Sequence, residues 1–162
     1  MAVKCDVSDE EQVEAMFNTI NDEFGKLDIL INNCGICRDS LFNEIKVRDF
    51  KRILDVNLIG TYLCSKYIGK VMLHAKKGKI INISSTNAID TFYPESCDYD
   101  ASKAGVIGMS YTWAKEFTRK GAAIRTNVIA PGYIQTEMME TVPEKVLKPI
   151  RKKTPLQRLG TP

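Results

Sequence analysis

Lys79-Ile80-Ile81-Asn82-Ile83 (KIINI) is the stretch whose reading decides the fold. It is short, apolar and rich in β-branched residues, the pattern of a parallel strand with both faces covered. LDILI, Leu27 to Ile31, has the same character, and AIRTNVIA, Ala123 to Ala130, repeats it before Pro131-Gly132 stops it. Ala2 to Cys5 reads as the tail of another such strand. Helical spacing fills the intervals. Ser8 reads as an N-cap, with Glu11 placed to complete a capping box. Val13, Met16, Phe17, Ile20 and Phe24 follow at helical spacing, and Gly25 ends that segment. Arg48 to about Lys76 predicts a long helix interrupted at Asn57 and Gly60. Asp98 to Arg119 predicts a second, rich in small residues at Ala101, Ala104, Gly105 and Gly108. Thr141 to Pro162 reads as a short helix and a polar end. Strands alternating with helices imply parallel crossovers and a layered α/β fold.

The chain has 162 residues, 44% of them hydrophobic, and a net charge of +3, which suits a single α/β domain over 1–162 with a sizeable core. The basic excess is spread along the chain, so no nucleic-acid partner is expected. No apolar run approaches the roughly 20 residues of a membrane helix, so no membrane partner is expected either. Met1 opens on AVKCDV, which lacks signal-peptide character. Five cysteines at irregular spacing point to a reduced, cytoplasmic protein, and no metal site is expected.

The chemistry is concentrated in YDASK, Tyr99 to Lys103. A tyrosine and a lysine four residues apart on a helix share a face. A free phenol has a pKa of roughly 10 and is a poor acid–base group near neutrality. A fixed cation beside it favours the phenolate and draws that value down. A bare Y-x-x-x-K is common by chance. Here it follows the second serine of IINISS by 14 residues, and NNCG, DVN and PGYIQTEM fall in order around it.

That ordered set resembles the short-chain dehydrogenase/reductase family, over nearly the whole chain. The resemblance implies a three-layer, Rossmann-like, doubly wound parallel sheet. It implies an incomplete one: no G-x-G-x-x-G or T-G-x-x-x-G-x-G is present, so the first two strands and the last would be missing. It implies Tyr99 as the acid that protonates a carbonyl oxygen and Lys103 as the ribose-holding cation that lowers the tyrosine pKa. Ser85 would hydrogen-bond the same oxygen. Asn57 would mark a break in helix pairing that lets water join the lysine to solvent. NNCG matches the family's N-N-A-G turn under the adenosine ribose, bringing in Asn33, Cys34 and Gly35. Asp6 and Val7 match the adenine position, although capping beside Ser8 explains Asp6 nearly as well. Pro131, Gly132, Ile134 and Thr136 fall where the family contacts the nicotinamide carboxamide. The implied cofactor is NADP or NAD. The spacing from serine to tyrosine is one residue longer than usual, which places an insertion in TNAIDTFYPESCD.

IINISS, the Arg-Asp after NNCGIC, and EFTRKG favour the 3-oxoacyl-[acyl-carrier-protein] reductase branch. Its members reduce a small-molecule or carrier-bound ketone and are commonly homo-tetramers joined through the two long helices. Basic residues at Lys76, Lys77, Lys79, Arg119 and Lys120 would attract an acidic carrier, and solvated helix ends explain them equally well. The function expected is NAD(P)H-dependent reduction of a ketone to a secondary alcohol. The alternative is a truncated, inactive fragment or pairing module, because an uncovered LDILI edge is an aggregation liability. Cys34-Gly35-Ile36-Cys37 also spells the dithiol pattern C-x-x-C, but in a loop after a strand rather than at a helix start. His74, the only histidine, sits near a helix end, which argues against a serine–histidine hydrolase.

Overall fold

The computed structural model describes residues 1–90, 94–136, 139 and 142–162; the side chain of Lys120 also falls outside the description. The expected Glu137-Met138 part of the PGYIQTEM run and Thr91 to Tyr93 of the inserted loop therefore lie outside the described residues. The chain divides into two compact units, Met1–Ala130 and Pro131–Pro162.

The first unit alternates as the strand and helix patterns predict. Helix α1 (Glu10–Phe24) leads to β1 (Ile29–Asn32), α2 (Val47–Leu54), a π-turn (Asp55–Ile59), α3 (Gly60–Ala75) and β2 (Lys77–Ile83). Then come α4 (Cys97–Glu116) and β3 (Ala123–Ile129). The three strands are parallel in the order β1-β2-β3, with Leu30 opposite Ile80 and Ile80 opposite Thr126. Two expectations are corrected here. Ala2 to Cys5 forms no strand, because no described strand offers its backbone a ladder. The cap of α1 is Asp9, not Ser8, and no capping box with Glu11 forms: the Asp9 amide donates to Asp6 O at 3.0 Å. The reason is local: the amide and the hydroxyl of Ser8 donate to the Asp6 carboxylate, at 3.0 and 2.7 Å, and its Oγ accepts from Arg52 Nη1 at 2.6 Å, so the hydroxyl is turned away from the helix start. Asp9 instead accepts from the Gln12 amide at 3.1 Å, and Gln12 Oε1 accepts from the Asp6 amide at 3.1 Å. Gly25, at φ 65°, closes the helix in the left-handed conformation.

The core lies on one face of the sheet. Val13 and Phe17 from α1, Leu63, Ile68 and Met72 from α3, Ile80 from β2 and Ile124 from β3 pack there as one cluster. The even-numbered positions of β2 face it; Ile80 and Asn82 are fully buried. The odd-numbered positions face away. Ile29, Ile31 and Ile129 are 51%, 58% and 51% exposed, so the expectation that LDILI is covered on both faces is not met. Burial of both faces needs helices on both, and α1, α3 and α4 all pack against the Ile80–Asn82 side.

Asparagines and serines cross the buried side of the sheet. Asn32 Nδ2 donates to Ser65 Oγ on α3 (3.0 Å) and to Asn82 Oδ1 on β2 (2.8 Å). Asn82 Nδ2 donates to Ser110 Oγ on α4 (2.8 Å), whose hydroxyl donates to Val106 O (2.7 Å). All four side chains are buried, so each polar group needs its partner. The chain of bonds fixes the register of β1 on β2 and ties both helices to the ends of the strands that lead to NNCG and to Ser84-Ser85.

The second unit holds α5 (Glu144–Lys153) and a parallel bridge between Ile134 and Gly160, around a small core of Leu147, Ile150 and Leu159. Among the described residues, no helix is long and apolar enough to cross a membrane.

Candidate active site

The expected long helix from Arg48 is interrupted by the π-turn Asp55–Ile59, centred on Asn57. One surplus residue widens the helix there and turns Asn57 inward. Its side chain spends all three of its usual hydrogen-bonding groups. Oδ1 accepts from the Ile36 amide (2.8 Å), and Nδ2 donates to Ile36 O (2.9 Å) and to Ser102 Oγ (3.1 Å). The carbonyl of Asn57 accepts from Thr61 Oγ1 at 2.8 Å. Asn57 therefore clamps the loop that follows NNCG. The same packing explains two glycines. A Cβ at Gly60 would come within 2.7 Å of Val7 Cγ2, and one at Gly105 within 2.8 Å of Leu58 Cδ1. Gly105 thus serves the contact of α4 with the π-turn inside one chain, whereas Gly108 faces open space.

Strand β2 runs out into Ser84 and Ser85. Ser84 Oγ donates to Lys103 O at 2.9 Å, a bond that ties the strand end to α4. Ser85 caps the short turn Thr86–Ala88, accepting from Asn87 N at 3.2 Å, and its hydroxyl lies near enough to the Tyr99 phenol to favour the phenolate. Tyr99 lies in the first turn of α4. The buried Asp98 carboxylate accepts from the Tyr99 amide at 2.8 Å and satisfies one of the free donors of the helix start. One turn on, Lys103 reaches back over the same face. Its Nζ donates to Ile83 O at 2.8 Å and sits 5.7 Å from the centre of the Tyr99 ring. Tyr99, Lys103, Ser85 and Asn57 are thus brought together by the ends of β2, the π-turn and α4.

The electrostatics differ from expectation. Lys103 does not draw the Tyr99 pKa down: burial pushes the phenol above its ordinary value, and the Ser85 hydroxyl only partly offsets this. The ammonium lies over the ring rather than beside the hydroxyl and is held by a main-chain carbonyl. Cys37, Asp100 and Asp39 near the phenol push in the same direction as burial. Burial also lowers the Lys103 pKa. As it stands the pair is a firmly protonated phenol beside a buried cation with one main-chain acceptor among the described residues.

The nucleotide-side residues are distributed more loosely. Asn33, Cys34 and Gly35 are exposed at the end of β1. A Cβ on Gly35 would lie 3.3 Å from Lys103 Nζ and 3.4 Å from Asn57 Oδ1, so a side chain there would fill the space beside the lysine. That vacant space, next to a cation with unspent donors, fits the ribose and nicotinamide end of NADP or NAD. Asp6 is held by Ser8 through one oxygen and by Arg52 through the other, at 3.1 Å to the guanidinium, which together take its pKa to about 2. Val7 packs against the core and closes on Gly60. Pro131, Gly132, Ile134 and Thr136 belong to the second unit; Ile134 makes the bridge to Gly160.

The dithiol reading fares poorly. Cys37 donates to Asp39 Oδ1 at 3.2 Å, and burial followed by that carboxylate pushes its thiol up to about 12. A thiol that resists ionisation is a weak nucleophile. All five cysteines are unpaired, and among the described residues no cluster could hold a metal. His74 is exposed in the last turn of α3. Sequence reasoning missed Arg52, which reaches Asp6 across 46 positions, and Ser102, which the motif reading passed over as spacer.

Comparison with known proteins finds relatives along the whole chain. A family model described as enoyl-(acyl carrier protein) reductase matches residues 1–162. A 3-oxoacyl-[acyl-carrier-protein] reductase of Synechocystis is 40% identical over all of this chain and 63% of the relative's length. One from Thermotoga maritima is 39% identical over 96% of this chain and 62% of its own. A 3alpha-hydroxysteroid dehydrogenase of Mediterraneibacter gnavus is 38% identical over 96% of this chain and 61% of its own. The structure "ElxO with NADP Bound" superposes with a TM-score of 0.89 at 39% identity, covering 98% of this chain and 64% of that one. The chain spans about 63% of the first of these relatives. It has the incomplete Rossmann-like α/β architecture that the sequence pattern implied. On the match of every one of its 162 residues and the 40% identity that accompanies it, the chain belongs to the short-chain dehydrogenase/reductase family.

Proposed function

We propose that this chain carries the proton-donating and nicotinamide-binding part of an NAD(P)H-dependent ketone reductase acting on a 3-oxoacyl thioester or a similar ketone. The observation that carries the reading is the meeting of the Ser85 hydroxyl with the Tyr99 phenol above Lys103. A ketone oxygen placed against that pair would accept from both hydroxyls. Tyr99, kept protonated by burial, then gives its proton to the oxygen as negative charge develops there. Ser85 holds the same oxygen and limits its orientation. A bound NADPH or NADH would supply the hydride; Lys103, Gly35, Asn33 and Cys34 would hold its ribose, and Asp6 and Val7 its adenine. The names of the relatives support a carrier-bound acyl substrate. The proposal extends to residues 1–162 as part of one domain of a homo-oligomer working in the cytoplasm.

A second reading, a pairing module without turnover of its own, is favoured by the exposed Ile29, Ile31 and Ile129. One experiment separates the two. NADPH oxidation is followed at its absorbance maximum with acetoacetyl thioester as substrate, for the wild-type protein and Tyr99→Phe. The reductase reading expects turnover that drops about 100- to 10,000-fold in the variant, the usual worth of a positioned acid. Wild-type turnover that survives Tyr99→Phe within a factor of about ten is too small a loss for a proton donor and overturns it.

A further inference from the structure

Ser102 is fully buried one residue before Lys103, and its hydroxyl does two things. It donates to Tyr99 O at 2.7 Å and accepts from Asn57 Nδ2 at 3.1 Å. Back-bonding to the carbonyl three residues earlier fixes the rotamer of the serine, so its lone pair faces the π-turn. The π-turn reaches the same place from the other side: Asn57 is locked by both polar groups of Ile36, leaving one amide hydrogen for Ser102. Leu58 packs on Gly105 so closely that a Cβ there would meet it at 2.8 Å.

We propose that Ser102 is a positioning residue, a polar link that, among the described residues, carries the placement of Asn57 and the loop after NNCG into the first turn of α4 and so sets where the Tyr99 phenol stands. The proposal rests on the reductase reading above, but its geometry does not depend on it. Removing the hydroxyl leaves the Asn57 amide hydrogen and the tyrosine turn unlinked, while every group that would touch substrate or nucleotide remains.

The test is steady-state kinetics of wild type, Ser102→Ala, Ser102→Cys and Ser102→Thr with NADPH and acetoacetyl thioester. Small errors of placement cost heavily, so kcat is expected to fall about 10- to 100-fold in the alanine variant. KM for both substrates should stay within about two-fold, because no binding group is lost. Cysteine, close to serine in volume and a weak hydrogen-bonding group, should show the same loss with the packing kept. Threonine, which retains the hydroxyl, should recover most of the rate. An alanine or cysteine variant with kcat within about two-fold of wild type overturns the proposal. A second readout is independent of turnover. In protein labelled with tyrosine carrying 13C at the ring ζ position, the Tyr99 resonance, assigned through Tyr99→Phe, should shift in Ser102→Ala and Ser102→Cys and titrate nearer the ordinary range. An unmoved resonance overturns the proposal even where the wild type reduces no ketone. A moved resonance in a protein without turnover sustains it and refutes the reductase reading alone.

Discussion

Asn82→Ala should cost more than any other single truncation in the polar chain beneath the site, and the amount can be worked from its bonds. Asn82 accepts from Asn32 Nδ2 and donates to Ser110 Oγ, each at 2.8 Å, in a fully buried position. After truncation one Asn32 amide hydrogen has no acceptor, although its other hydrogen keeps Ser65. An orphaned buried donor costs about 1–3 kcal/mol, and the lost bond to Ser110 adds about 1 kcal/mol. Ser110 keeps its own acceptor, Val106 O, so it adds nothing further. The sum is about 2–4 kcal/mol, a large share of the roughly 5–15 kcal/mol that holds a typical domain together. Urea unfolding followed by far-ultraviolet circular dichroism reads it directly. With a slope of roughly 2 kcal/mol per molar, the midpoint should fall by roughly 1–2 M. In the double variant Asn32→Ala/Asn82→Ala the cost should be less than additive, because the orphaned donor disappears with Asn32. A midpoint within about 0.25 M of wild type would refute the reasoning, since it equates to only about 0.5 kcal/mol and would mean the chain of bonds fixes nothing.

Two further outcomes follow from charge. Cys37, with its thiol pushed up to about 12, should resist iodoacetamide at pH 8, where only about one molecule in 10,000 carries the thiolate; peptide mass spectrometry showing it alkylated as fast as a free thiol would contradict that placement. Asp6 has its pKa lowered from 3.8 to about 2, so its bonds to Ser8 and Arg52 favour the folded state fully above pH 3.8 and lose that effect as pH falls toward 2; acid unfolding of Asp6→Asn should therefore lack a transition component in that window, and an unchanged acid profile would count against it.

The strands and helices were legible because each carries its signal locally. KIINI and AIRTNVIA announce themselves by β-branched runs, and the heptad-like spacing from Val13 to Phe24 predicts α1 with its glycine cap. The cluster of Tyr99, Lys103, Ser85 and Asn57 could be named from motif order, although nothing in the motif gives the direction of the tyrosine pKa. That direction depends on how deeply the phenol is buried and on where the ammonium points, which are tertiary facts. The cap of α1 was misplaced by one residue because Asp6, two positions upstream, claims the serine. Arg52 on Asp6 and the Asn32–Asn82–Ser110 chain were not legible at all. Their partners lie 46, 50 and 28 residues apart, and a pairing at such distance leaves no periodicity to read. Ser102 had the weakest disguise: a small polar residue inside a helix, which invites the question of what its hydroxyl bonds.

The π-turn makes the count of residues between Leu54 and Gly60 matter as well as their identity. Each α-helical residue advances the chain by about 100°, so a protein one residue shorter there could wind a regular helix straight through. Asn57 and Ile68 would then no longer point inward together: either the asparagine would swing off Ile36, or the apolar stripe of α3 would rotate out of the core. A point substitution in this segment acts at one place; a single-codon deletion is a change of geometry for half the first unit.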